Sequence, residues 1–355
     1  MQGRERLIAL AIVFTASACE RTTMPTAPAE DARALFSVGA ASVTSFPIPT
    51  PNSGPRQITL AADGNMWFTE SNANQIARLN ADGTITEFVV PSAFASPEHI
   101  AAASNAAADE DGEGDASGKG ALWFTEPSGF PDGIGRATTK GKFKEFGLCD
   151  PPPRGCSSIV PQGIAVAPDG NVWFTEQVRS AIVKLTPQGK FTFYPTPTLG
   201  ANPNGITVGP DGALWFAEFN ANQIGRIDPF DPLGRITEFG SLSDGPMRIT
   251  TGPDGNLWFT EPFGNRIGRL TPSGVVSEFA LLTANAHPRD IVAGPDGNLW
   301  FTEYLANQLA RITSEGVITE VQPLSGPWGI GRGANNDLWI THIDANLITR
   351  FTLSP

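Results

Sequence analysis

The chain has 355 residues, 40% of them hydrophobic and 17% charged, and a formal net charge of −12. That apolar content can bury a core, the charge is too lean for a disordered polyelectrolyte, and an acidic balance without a basic cluster excludes nucleic acid as a partner. Length alone suggests two or more domains, yet a chain of similar units can run this long as one.

At the N-terminus, Arg4 and Arg6 precede an apolar run over residues 7 to 14, and Ala16, Ser17 and Ala18 lead to Cys19. A basic start, a short apolar stretch and small residues make residues 1 to 18 a secretory signal, too short to span a bilayer permanently. Small residues before a cysteine match a bacterial lipidation signal, although Ala16 stands where leucine is usual. Cys19 is therefore the expected lipid attachment point, and the lipid the only expected contact with the membrane. The expected location is exported, in the periplasm or on the cell surface. Residues 19 to 42, rich in Ala, Thr, Pro and Glu, read as a flexible tether. The remaining cysteines, Cys149 and Cys156, flank a short Pro-rich loop that a disulfide can close in an oxidising compartment. A metal pair is the alternative, but no second Cys or His pair sits at zinc spacing.

From residue 43 onward one unit recurs. Trp67, Trp123, Trp173, Trp215, Trp258, Trp300 and Trp339 share the context of MWFTE, LWFTE or close variants, at spacings of 56, 50, 42, 43, 42 and 39 residues. That is the period of a propeller blade. Each unit runs from a Pro-x-x-Ile start through an Asp-Gly turn to the WFTE run, then to an Ile-Gly-Arg run and an Ile-Thr-Glu-Phe run. Short apolar or alternating runs between Gly turns predict four antiparallel strands per unit, and no stretch carries a sustained helical period. The expected fold is all-β: residues 43 to 355 as one seven-bladed propeller. Its first strand, VTSFPIP over residues 43 to 49, matches the fourth strand of a unit, while the chain stops after a third. The N-terminal strand is therefore expected to complete the last blade and remove an open sheet edge. An insertion over residues 104 to 120 carries alternating acids but has Gly120 where a calcium loop needs its bidentate Glu, and reads chiefly as a solvated acidic loop.

The string GITVGPDGALWFAEFNANQIGRI over residues 205 to 227, with its counterparts in the other units, resembles the repeat of the virginiamycin B lyase family, the streptogramin lyases. The resemblance covers residues 43 to 353. It implies a seven-bladed propeller and magnesium-dependent opening of a cyclic depsipeptide lactone by elimination. It places a His base just after the Pro of blade six, a Glu and a His on either side of the blade-seven Pro, a metal-site Glu late in that blade's second strand, and an aromatic residue from blade one. This sequence departs at these positions. Arg289 follows Pro288, with His287 before it; Gly326 and Trp328 flank Pro327; Thr341, His342 and Ile343 include no Glu; and Arg56 stands in blade one.

What recurs in every unit is expected to serve the unit. The Glu ending each WFTE run reads as a carboxylate accepting backbone or Arg hydrogen bonds, the Asp-Gly turns as hairpin geometry, and the tryptophans as core. A ligand site lies where units differ, at the loops before first strands and after second strands. Arg56, Glu98, His99, Arg248, Arg289 and Trp328 stand there, and clustered guanidinium groups favour a carboxylate or phosphate ligand. Two function classes follow. One is a monomeric ligand-binding or scaffold propeller that takes a small molecule, a peptide or a protein at the channel mouth. The other is a metal-assisted lyase or a lactone hydrolase with His287, His342 and Asp290 as catalytic groups and Glu303 with His342 at a metal, magnesium by the resemblance.

Overall fold

A computed structural model of the chain describes residues 40–103, 120–128, 133–148, 159–321 and 324–353. The N-terminal leader, Cys19, the acidic insertion and the pair Cys149 and Cys156 lie outside the described residues.

Seven four-stranded antiparallel sheets follow one another in sequence order. Blade one is Pro55–Leu60, Met66–Glu70, Gln75–Leu79 and Ile85–Val89, and the other blades repeat that plan. The last sheet consists of Pro327–Arg332, Asp337–His342 and Leu347–Leu353 with Ala40–Pro47 as its outer strand, paired from Ser42 opposite Thr352 to Pro47 opposite Leu347. The expected closure through the N-terminal strand is what the chain does. No helix is present among the described residues.

The second strands explain why the WFTE run is so constant. In six blades all five of its residues are buried, because a sheet covered on both faces needs a continuous run and not an alternating one. The Trp of one blade and the Phe of the next meet in a shared core: Trp67 and Ile76 with Leu122 and Phe124, and Trp339 and Ile348 with Ile58 and Phe68, which closes the ring. Five of the indoles are also anchored at their polar end, those of Trp67, Trp173, Trp215, Trp258 and Trp300. The Nε1 of Trp215, Trp258 and Trp300 donates at 3.0 Å to Asp211, Asp254 and Asp296 of the preceding turn, so the Asp of the Asp-Gly turn caps its blade's tryptophan as well as shaping the hairpin. In the third strands, Gly225 and Gly268 lie under Phe216 and Phe259, where a β-carbon would overlap the ring.

Candidate functional site

The first strands line the central channel, and each begins at the mouth beside the end of its blade's second strand, as Pro288 does opposite Glu303. Threonine hydroxyls seal the seams that follow blades one, three, six and seven there, whereas blade four has Ala217 and ties its seam by the Gly205 amide donating to the Met247 carbonyl. Thr302 Oγ1 accepts from the Asp290 amide at 3.1 Å and donates to the Trp328 carbonyl of the next blade at 2.8 Å. Thr341 does the same with the Gly329 amide and the Arg56 carbonyl, at 2.8 and 2.6 Å. Arg56, Glu98, Asn204 and Trp328, each the residue after its blade's Pro, are thereby held by their carbonyls. These threonines recur in the WFTE runs, but their role in holding the variable residues is apparent only once the blades are side by side.

Over blades six, seven and one this arrangement stacks Arg289, Trp328 and Arg56. The Arg289 guanidinium carbon lies 3.8 Å from the Trp328 ring centroid and that of Arg56 4.4 Å from it. Tyr304 meets the same indole edge-on at 5.1 Å. Trp328, one of the expected ligand-site residues, is flanked by these two guanidinium groups and by Tyr304. On its other side Arg289 Nη1 approaches Met247 Sδ at 3.4 Å.

Arg248 reaches across the channel. Blades two and five stand nearly opposite each other in the ring, yet Arg248 Nη1 donates to His99 Nδ1 at 2.9 Å. Because guanidinium only donates, Nδ1 is the acceptor and the proton of this imidazole is on Nε2. Both side chains are buried, at 8% and 3% exposure. In these two blades the first strand starts only at Ile249 and Ile100, and the pairing of the Pro with the last residue of the second strand, a Glu in four of the other blades and His342 in blade seven, is missing. Burial holds the His99 pKa well below the ordinary histidine value, reinforced by Arg248, Arg289 and Arg56. The imidazole is therefore a neutral cross-brace. Gln57, His99, Arg248 and Asp290 line a central cavity of about 330 Å3.

Asp290 is occupied structurally. Its Oδ1 accepts from the Ile291 amide and its Oδ2 from the Ile330 amide of the next blade, both at 3.0 Å, so the carboxylate straps blade six to blade seven. Burial raises its pKa, opposed by Arg248, the two amides and Arg289. The guanidinium groups are the opposite case. The Nε atoms of Arg56, Arg248 and Arg289 are buried without a hydrogen-bond partner. Arg289 is pushed down to about 9, by burial first and then by the charges of Arg248 and Arg56. The mouth thus holds three guanidinium groups, with the charges of Asp290 and Glu98 partly offsetting the burial of Arg248 and Arg289.

The three histidines take separate places. While His99 spans the channel, His287 sits at a φ of 58° before Pro288, edge-on to Phe263 at 5.3 Å, with its Nδ1 buried and unpartnered. Burial lowers its pKa, and Arg289 adds to the effect. His342 ends the second strand of blade seven, where Nδ1 donates to the Ser325 carbonyl at 3.1 Å. Its Nε2 is enclosed without a partner, and burial holds the pKa at about 4, so it is neutral at physiological pH. Glu98 acts on Arg248 and Arg289 only as a nearby charge.

Glu303 corrects the expectation for its whole class. The second-strand glutamates were read as carboxylates accepting hydrogen bonds; among the described residues Glu176 does so, from the amides of Val160, Val178 and Arg179. In Glu70, Glu218, Glu261 and Glu303 neither oxygen has a donor. Burial, and then a second glutamate on the outer strand of the same blade, raises each of these and Glu126 to about 8. The outer partner is held by hydrogen bonds. Glu238 accepts from the amide and hydroxyl of Thr198, and Glu320 from those of Thr283, which pins the incoming linker of each blade. Blade three, with Phe193 on its outer strand, lacks the partner and frees Glu176 for the backbone.

Magnesium does not fit these residues. Among the described residues no group of three His, Cys, Asp or Glu stands close enough to hold a metal ion. Glu303 is enclosed as a neutral acid, His342 is bound to Ser325, Asp290 is spent on two amides, and the mouth is cationic. Tyr304 and Phe263 escaped sequence reasoning. The residues one and two places after each second-strand Glu vary between blades as much as those after each Pro, and that variation is the signal that would have found them.

The virginiamycin B lyase family profile matches residues 35–108, 114–244 and 230–355. A virginiamycin B lyase of Nocardia farcinica is 30% identical over 141 residues, a match covering 40% of each chain, so the aligned stretch spans less than half of that relative's length. A streptogramin B lyase structure is 36% identical with a TM-score of 0.77, covering 88% of this chain and 98% of that one. A virginiamycin B lyase from Staphylococcus aureus, in a catalytically inactive variant with quinupristin, is 37% identical with a TM-score of 0.76, covering 88% of this chain and 99% of that one. With the repeat, the seven blades and the family profile in agreement along the described propeller, the chain belongs to the virginiamycin B lyase family.

Proposed function

We propose that this family member is a ligand-binding propeller that takes a small anionic ligand, a carboxylate or a phosphate ester, at the channel mouth, and that it does not carry out the lyase reaction for which its relatives are named. One observation carries the reading: Arg56, Arg248 and Arg289 present three buried Nε groups without partners. A buried cation left unpaired is costly, and an anion accepted by two or three guanidinium groups removes that cost with charge-assisted hydrogen bonds. Elimination needs a base near neutral pKa and a cation held by carboxylates. Arg289, Gly326 and Trp328 stand where the family resemblance puts a His, a Glu and a His, and Thr341, His342 and Ile343 include no Glu for the metal.

The leader ending at Cys19 supports an exported, lipid-anchored protein, so the ligand belongs outside the cytoplasm in this reading. Calorimetric titration with acetate and with inorganic phosphate tests the binding function. Each charge-assisted hydrogen bond contributes about 1.5–3 kcal/mol, so Arg289→Ala is expected to weaken binding by roughly 10- to 100-fold. Equal affinity in wild type and variant overturns the assignment.

A further inference from the structure

The cationic cluster is bordered on one side by an apolar arc. Phe219 and Phe263, the first or second residues after the second strands of blades four and five, meet edge-on at 5.9 Å, and Phe263 continues edge-on to His287 at 5.3 Å. The Phe219 ring lies against the backbone of Gly245, where a β-carbon would stand 2.9 Å from it. Two residues on, Met247 touches the Arg289 guanidinium through its sulfur. From Arg289 outward the lip of the mouth is thus Met247, Phe219 and Phe263, followed on the blade-six side by Tyr304 and Leu305. Phe263 is 70% exposed and Leu305 59%, although neither has any core to fill. After the second strands of blades one and two, the corresponding positions are Ser71, Asn72, Pro127 and Ser128. The aromatic lip runs over blades four, five and six and meets the cluster at Arg289.

We propose that the ligand is an aryl-alkyl carboxylate: its carboxylate enters between Arg289 and Arg248, and its ring lies on Met247, Phe219 and Phe263. This rests on the anion-binding reading above and specifies its ligand class. The charge needs an anion, and the adjoining aromatic surface favours an apolar body carried by the same molecule, since an aromatic ring laid against it leaves water together with the lip. Trp328 does not supply this surface, being engaged by Arg56 and Arg289 on its faces.

Titrating 3-phenylpropionate and propionate in parallel separates the two ideas. The account expects the aryl compound to bind roughly tenfold more tightly than propionate, as removal of an aromatic ring from water predicts when only part of its surface is covered. Phe263→Ala, a change at an exposed side chain, is expected to bring that ratio close to one, while Arg289→Ala weakens both compounds together and preserves the ratio. A wild-type ratio near one overturns the ligand class and leaves the anion site standing. A tenfold ratio that survives in Phe263→Ala overturns the assignment to this lip, and no binding of either compound overturns both readings.

Discussion

Replacing Glu218 by glutamine tests whether the acids at the ends of the second strands are neutral in the folded protein. Glu218 is fully enclosed, and its pKa is raised from 4.5 to about 8 by burial first and then by Glu238, the outer-strand carboxylate it faces. An ionised Glu218 has no donor to accept from, whereas a protonated one can donate to Glu238. Keeping it protonated has a cost that grows with pH. Because the folded value lies above the unfolded one, the stabilisation is complete below about pH 4.5 and is lost as the pH rises through about 8. From 4.5 to pH 7 is about 2.5 pH units at about 1.4 kcal/mol each, so a permanently neutral side chain should be more stable by up to about 3 kcal/mol at pH 7. Glutamine supplies a neutral donor of nearly the same shape. Thermal unfolding of Glu218→Gln and wild type between pH 4.5 and 8.5 is the assay. The variant is expected to match wild type at the acid end and to melt roughly 5 °C higher at pH 7. A variant destabilised equally at every pH would refute the reasoning, because it would mean that the ionised carboxylate makes contacts the amide cannot replace.

Other changes probe the remaining parts. Asp290→Asn replaces a carboxylate that accepts from two backbone amides, and is expected to cost about 1–3 kcal/mol in chemical unfolding by leaving one of them unpaired at the seam between blades six and seven. His342→Ala removes the hydrogen bond to Ser325 and leaves a cavity in blade seven; a loss of about 2–4 kcal/mol is expected, with the affinity for propionate retained as measured by calorimetry. Thr302→Val breaks the bond to the Trp328 carbonyl together with the one from the Asp290 amide, and should cost about 1–2 kcal/mol and broaden the tryptophan emission. Raising salt from 50 to 500 mM is expected to weaken propionate binding several-fold, since the attraction depends on the charge of the mouth.

The fold was legible because its evidence is repeated. Seven tryptophans at a blade's spacing, and a first strand that matches a missing fourth, needed no knowledge of tertiary contacts. The positions of the mouth were legible for the converse reason: Arg56, Arg248, Arg289 and Trp328 vary where the rest of the unit does not. Their partners were hidden. The bond from Arg248 to His99 joins residues 149 apart and exists only because the ring places blades two and five face to face. The stacking of Trp328 between two arginines likewise depends on blade one lying beside blade seven. The second-strand glutamates were misread because a charge in a sequence carries no sign of its burial; the outer-strand glutamate that recurs in the same blades was the available clue. The tie between Asp290 and the Ile330 amide depends on the local path of the chain at the seam, which a repeat pattern does not reveal.

The claim that this mouth binds anions in place of performing the lyase reaction is tested most directly by incubating the purified protein with a cyclic depsipeptide lactone and magnesium and following it by mass spectrometry and chromatography. The account predicts a substrate unchanged in mass and retention. A ring-opened product of the same mass would contradict it, because the proposal holds that this mouth lacks the base and the carboxylate-held cation that elimination needs.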